Sequence, residues 1–122
     1  EDSLAYAQTR KTFGKPIGAF QAIKHRMADL WCEIEIARSN AYYAAWALGE
    51  SPGEVPRSAS LAKAYASDAF ARIGIDGVQL HGAVGYTAEY DIQLYLKRSK
   101  WARPTFGDSD FHYERVARLG GL

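Results

Sequence analysis

The sequence predicts an all-α fold, an up-down bundle of four to five helices, on three observations. Apolar residues recur at helical spacing over two long stretches, 20–48 and 57–80. Turn-forming segments, Ser51–Pro56, Gly82–Tyr86 and Pro104–Gly107, separate the periodic ones. No segment shows sustained strand alternation, and there is no internal repeat or low-complexity tract. A chain of 122 residues is one domain, 1–122, large enough to bury a core without covalent staples.

The elements follow in order. Glu1-Asp2-Ser3-Leu4-Ala5-Tyr6-Ala7 already reads as helix, with no initiator methionine, so the chain is expected to be a piece of something longer. Arg10 closes this helix, and Gly14 and Pro16 mark a loop. The second helix carries one apolar seam, Phe20, Ile23, Met27, Leu30, Ile34, Ala37, Ala41, Ala44 and Leu48. Its 3-4-3-4 spacing lasts about eight turns. Lys24, Arg26, Asp29, Glu33 and Arg38 fall off the seam, toward solvent. Gly49 stops the helix, and Ser51–Pro56 connects it to the next.

The third helix begins near Arg57 and runs through Leu61, Ala62, Tyr65, Ala69, Phe70, Ile73 and Leu80. Gly74 and Gly77 each cost about 1 kcal/mol against Ala inside a helix, so they are expected to admit a neighbouring helix or ring. Tyr90 to Lys100 reads as a shorter helix with Ile92, Tyr95, Leu96 and Ser99 on one side, broken by Pro104 and Gly107. Asp108 or Ser109 caps a last helix carrying Phe111, Val116 and Leu119, ended by Gly120-Gly121.

The bulk composition narrows the function. A formal net charge of +1 with scattered basic residues is not the footprint of a nucleic-acid binder. The group Lys97, Arg98, Lys100 and Arg103 reads as a solvated helix end. Cys32, the only cysteine, cannot form an internal disulfide, which fits a cytoplasmic protein, and it reads as a small apolar residue in or beside a helix interface. No apolar run approaches the roughly 20 residues of a membrane span, and none reads as a signal peptide. His25, His81 and His112 lie far apart without a Glu-x-x-His pair, so surface or capping roles are expected and no metal site. Trp31, Trp46 and Trp101 read as core and interface aromatics.

Two stretches remain that can carry chemistry. Arg10-Lys11-Thr12-Phe13-Gly14-Lys15-Pro16 sets a guanidinium at a helix end, where it can donate two parallel hydrogen bonds to a phosphate. The plainer alternative is a helix-terminal cation on the negative end of the macrodipole. Gln79-Leu80-His81-Gly82-Ala83-Val84-Gly85-Tyr86 offers an amide donor and acceptor beside small residues that let a ligand approach backbone. It follows a helix and precedes another, without the strand a Rossmann or P-loop site requires.

At this separation the two stretches resemble the carboxy-terminal helical domain of the flavin-dependent acyl-CoA dehydrogenases, over residues 1 to about 119. The resemblance implies an FAD bound mainly by a neighbouring subunit and contacted across the interface by Arg10, Thr12, Phe13, Gln79, Gly82 and Ala83, with Ala83 in place of the commoner second glycine. It also implies α,β-dehydrogenation of an acyl-CoA thioester, an electron-transfer flavoprotein as electron acceptor, and a homo- or hetero-oligomer. The family's complete subunit has an additional amino-terminal helical domain and a β-barrel domain.

A third stretch departs from the family. Where its members carry Tyr-Glu-Gly-Thr, this chain reads Thr105-Phe106-Gly107-Asp108. In the family the glutamate removes the α-proton while hydride leaves the β-carbon. Phe106 cannot accept a proton, so no catalytic residue is assigned, and Asp108 is read as a helix cap. Three functions stay open: a catalytic subunit with its base upstream of Glu1, a non-catalytic partner subunit, and a helical interaction module without flavin. Some bacterial members, including ones acting on steroid side-chain thioesters, are built as unlike pairs.

Overall fold

The computed structural model describes residues 1–121 and contains five α-helices: α1 Asp2–Thr9, α2 Gln21–Glu50, α3 Val55–His81, α4 Ile92–Ala102 and α5 Ser109–Leu119. A two-strand hairpin, β1 Lys11–Thr12 and β2 Lys15–Pro16, joins α1 to α2. Short 3-10 turns at Ile17–Ala19, Pro52–Glu54 and Gly82–Tyr86 complete the connections. The all-α bundle read from the sequence is the observed one. The strands are too short for alternation to reveal them.

The third helix is the axis of the domain. Its buried positions lie on more than one face, with Ala64, Ala71 and Val78 on one side and Ala69, Asp76 and Leu80 on another. α2 covers one side, antiparallel, with Arg26 paired to Asp76 and Arg72 to Glu33. Asp76 is 4% exposed, so its charge depends on that single guanidinium, whose own pKa the hydrogen bond to Asp76 raises. α4 covers a second side. A Cβ on Gly77 would lie 2.7 Å from Ile92 Cδ1, and one on Gly74 would lie 3.0 Å from Leu96 Cα and Ser99 Oγ. Both glycines therefore exist to admit α4, as expected.

α5 runs on in the sense of α4, with Ser109 against Asp68 and Gly120 near Arg57. Asp108 caps it, its side chain accepting from Phe111 N–H at 2.9 Å. Ser109 and His112, three apart, form its buried stripe.

The seam of α2 holds in its first half and shifts in its second. Leu30 is buried and Ile23, Met27, Ile34 and Ala37 are half-buried, but Ala41 is exposed and Leu48 is 68% exposed. Ala47 and Asn40 take their inward places. The reason is what covers each half. The first half meets the turn at Ile17–Ala19 as well as α3, whereas the second half meets α3 and the Pro52–Glu54 turn.

Three further expectations are corrected. Trp31, Trp46 and Trp101 are each more than half exposed, so they belong to outer faces and not to the core. Cys32 is also exposed, on the outward side of α2. His81 and His112 are buried, not surface groups. No helix among the described residues is long and apolar enough to cross a membrane.

Candidate functional site

The Arg10 stretch folds as a tight hairpin. Arg10 leaves α1 in an extended conformation, its N–H bonded to Tyr6 O at 2.8 Å, and its carbonyl accepts from Ile17 N–H at 2.8 Å. Lys11 pairs with Pro16 and Thr12 with Lys15. The two loop residues, Phe13 and Gly14, have φ of +50° and +79°, the left-handed pair that a two-residue hairpin needs. This turn pushes Phe13 into solvent at 94% exposure, with only an edge contact to Phe20 at 6.5 Å. Lys15 lies over the Phe20 ring at 4.3 Å. Arg10 is different. Among the described residues its guanidinium enters none of the ion pairs.

The Gln79 stretch ends α3 beside this hairpin. Gly82 has φ +66° and ψ −142°, which glycine alone adopts readily, and a Cβ there would meet nothing. Its backbone therefore stands open. Gln79 and Ala83 are exposed around it. The joint between the two stretches is aromatic: Tyr6, one turn before Arg10, stacks on His81, one residue before Gly82, at 4.2 Å. Tyr6 Oη also donates to His81 O at 3.4 Å, and His81 Nδ1–H donates to Gly77 O at 2.8 Å. Arg10, Thr12 and Phe13 thus share one end of the bundle with Gln79, Gly82 and Ala83.

The Phe106 turn lies between α4 and α5, remote along α3 from that end. Phe106 has φ +63° and is 90% exposed. Most polar groups around it are engaged, the exception being His112 Nδ1, which is buried without a partner. Lys63 Nζ donates to Ser67 Oγ at 2.6 Å and to the carbonyls of Ala102 and Arg103 at 3.3 and 3.2 Å. Arg103 and Ser109 both donate to Asp68 Oδ1, at 3.2 and 2.6 Å. His112 Nε2–H donates to Phe106 O at 2.9 Å, and Thr105 Oγ1 to Trp101 O at 2.6 Å. Beside the ring is an apolar recess of about 260 Å³ floored by Phe70, Trp101 and Ala102.

The burial of His81 and His112 is what the sequence reading missed; His81, bonded to Gly77 O in the last turn of α3, keeps the capping role expected of it. A signal was available for each: His81 follows Gly77 and Gly74 by four and seven residues, on the face those glycines open, and His112 follows Ser109 by three. Among the described residues no group of His, Cys, Asp and Glu could hold a metal ion.

The family model for the acyl-CoA dehydrogenase C-terminal domain matches residues 1–120. The chain belongs to the acyl-CoA dehydrogenase family. It is 40% identical over 105 residues to acyl-CoA dehydrogenase IpdE2 of Mycolicibacterium smegmatis, covering 86% of this chain and 32% of that protein. A solved FAD-dependent dehydrogenase superposes with TM-score 0.94 at 34% identity, over 99% of this chain and 32% of its own. The ChsE4-ChsE5 complex from Mycobacterium tuberculosis superposes with TM-score 0.91 at 28% identity, over 98% of this chain and 32% of its own. This acyl-CoA dehydrogenase domain therefore spans about a third of the length of the relatives it matches.

Proposed function

We propose that the chain is the carboxy-terminal bundle of an FAD-dependent acyl-CoA dehydrogenase, in which it contacts FAD across a subunit interface while an acyl-CoA thioester is dehydrogenated at its α,β bond. The observation that carries this reading is the meeting, at one end of the bundle, of an unpaired guanidinium and an open glycine backbone. Arg10 supplies a bidentate donor to a phosphate. The amide of Gln79 donates or accepts, and Gly82 and Ala83 let backbone come close to a pyrophosphate. Phe13 presents an exposed ring, which suits a flat ligand. These residues fit an FAD because none of these groups is consumed inside the fold. Bound FAD supplies the acceptor for hydride. The chain's own part is binding and orientation.

An electron-transfer flavoprotein takes the electrons onward, and the assembly is a homo- or hetero-oligomer whose remaining helical and β-barrel parts lie outside residues 1–122. A specific observation also favours the reading as a non-catalytic partner subunit. Phe106 stands at the family's base position with an exposed phenyl ring, and Asp108 is engaged as a cap. On that reading another subunit provides the base and this one provides the contacts of Arg10 and Gln79.

The test is the assembled protein, purified with its other subunits and assayed with acyl-CoA and an artificial electron acceptor. The proposal expects bound FAD and an enoyl-CoA product. An assembled protein without flavin would contradict it. The 122-residue chain alone is expected to hold no stoichiometric FAD. The sequence upstream of Glu1 separates the two readings: a glutamate base there favours the catalytic subunit, and a β-barrel domain without that glutamate favours the partner subunit.

A further inference from the structure

A second recess, of about 470 Å³, opens between α1 and the segment leading into α4. Its lining includes Asp2, Tyr6, His81, Glu89, Tyr90 and Asp91. No lysine or arginine lines it. Three features of it point the same way.

The first is aromatic. Tyr6 and His81 stack at 4.2 Å, and Tyr90 meets both edge-on, at 5.9 Å from Tyr6 and 5.6 Å from His81. Aromatic faces carry negative quadrupole density and attract a cation. The second is charge. Asp2, Glu89 and Asp91 are exposed, and among the described residues none enters an ion pair. The field they make is felt nearby: the Tyr95 phenol is pushed up, first by Asp2, then by its own burial, with Asp91 and Glu1 adding to it.

The third is a buried acceptor. His81 is 6% exposed. Its Nδ1 faces the Gly77 carbonyl at 2.8 Å, and a carbonyl only accepts, so Nδ1 carries the hydrogen. In the neutral ring Nε2 is then a bare lone pair. No described residue donates to Nε2, and it is not among the sealed polar atoms, which are Glu33 Oε2 and His112 Nδ1. His81 lines the recess, and this lone pair is left without a partner inside the described fold.

A recess lined by three carboxylates, aromatic rings and an imidazole lone pair, with no cationic side chain, selects a cation, and geometry decides which kind. The His and carboxylate groups are too dispersed to converge on one metal ion. An ammonium is a compact, strongly hydrated point charge, whereas a guanidinium is flat, weakly hydrated, carries five donors and stacks on aromatic faces. We propose that the Tyr6–His81–Tyr90 recess is a binding site for a guanidinium group, either of a small molecule or of an arginine side chain from a neighbouring chain.

Methylguanidinium chloride titrated into the full chain, with methylammonium chloride at equal ionic strength as control, tests this by amide chemical shifts. The expected result is a saturable response at Tyr6, His81 and Glu89–Ile92 with methylguanidinium only. The paired variant Glu89→Gln/Asp91→Asn should weaken binding about fivefold or more, the scale of two exposed charge contacts, with helicity unchanged. Equal responses to the two salts, or unchanged binding in the variant, would overturn the proposal. Sedimentation in the same titration identifies the source. Dispersal of an assembled form by methylguanidinium assigns the site to a neighbouring chain's arginine, and an unchanged sedimentation coefficient assigns it to a small guanidinium. Arg10→Ala should leave this titration unchanged, so the flavin reading and this one fail separately.

Discussion

The two ends of α3 are built on opposite plans. At the Gly82 end, Arg10 enters no ion pair among the described residues, Phe13 is almost wholly exposed, and a Cβ on Gly82 would meet nothing. At the Phe106 turn, Lys63, Asp68, Arg103, Ser109 and His112 are all tied to one another or to the turn's carbonyls. Groups consumed within a fold stabilise it, whereas unspent groups are available to a ligand. The Phe106 turn is held by contacts that do not involve its side chain, so a phenyl ring is tolerated there.

Substitutions can break or sharpen that contrast. The largest effect is expected where both ends are lost together. Leu30→Asp removes a buried leucine from the α2–α3 contact and buries a carboxylate, at a cost of about 4 kcal/mol or more. A circular-dichroism melt within about 2 °C of the parent would show that α2 is not seated as described. Arg26→Ala comes next. It leaves Asp76 buried without its guanidinium, for a loss of about 3 kcal/mol, read by urea denaturation. If the Arg26→Ala midpoint matches the parent, Asp76 has another partner.

The contrast itself is measured by a pair of variants. Asp68→Ala frees Arg103 and the buried Ser109 hydroxyl and should cost about 2 kcal/mol. Arg10→Ala should change stability by less than about 0.5 kcal/mol. Equal losses would mean that the two ends do not differ.

A smaller effect concerns alkaline pH. The Tyr113 phenol is held above its ordinary value, first by burial and then by Asp68 and Tyr65. Because the folded state keeps this proton more tightly, its stabilisation is complete below about pH 10, the unfolded value. It is lost as pH rises through the folded value. Thermal midpoints measured from pH 9 to 11 should fall less steeply in Tyr113→Phe than in the parent, and identical slopes would argue that another group titrates.

The local features were legible in the sequence because they depend on near neighbours. The cap at Asp108 and the α4 seats at Gly74 and Gly77 follow from residue type and spacing, and α2 overruns its expected stop at Gly49 by one residue, to Glu50. What sequence spacing could not carry was which side of each helix another helix would cover. Ala41 and Leu48 continue the α2 seam, yet both are exposed, since no described element covers that side of the second half. Trp31 and Trp46 look like core residues by composition but face outward. Likewise the stacking of Tyr6 on His81, 75 positions apart, cannot be read from either motif. That contact is what brings the two motifs to one end of the bundle.

The measurement that tests the central claim most directly is FAD titration of the assembled protein with Arg10→Ala. Loss of a charge-assisted contact to phosphate, worth about 1.5–3 kcal/mol, predicts that FAD affinity falls about tenfold or more while the melting temperature stays where it was. An unchanged dissociation constant would reduce Arg10 to a helix-end cation and contradict the account.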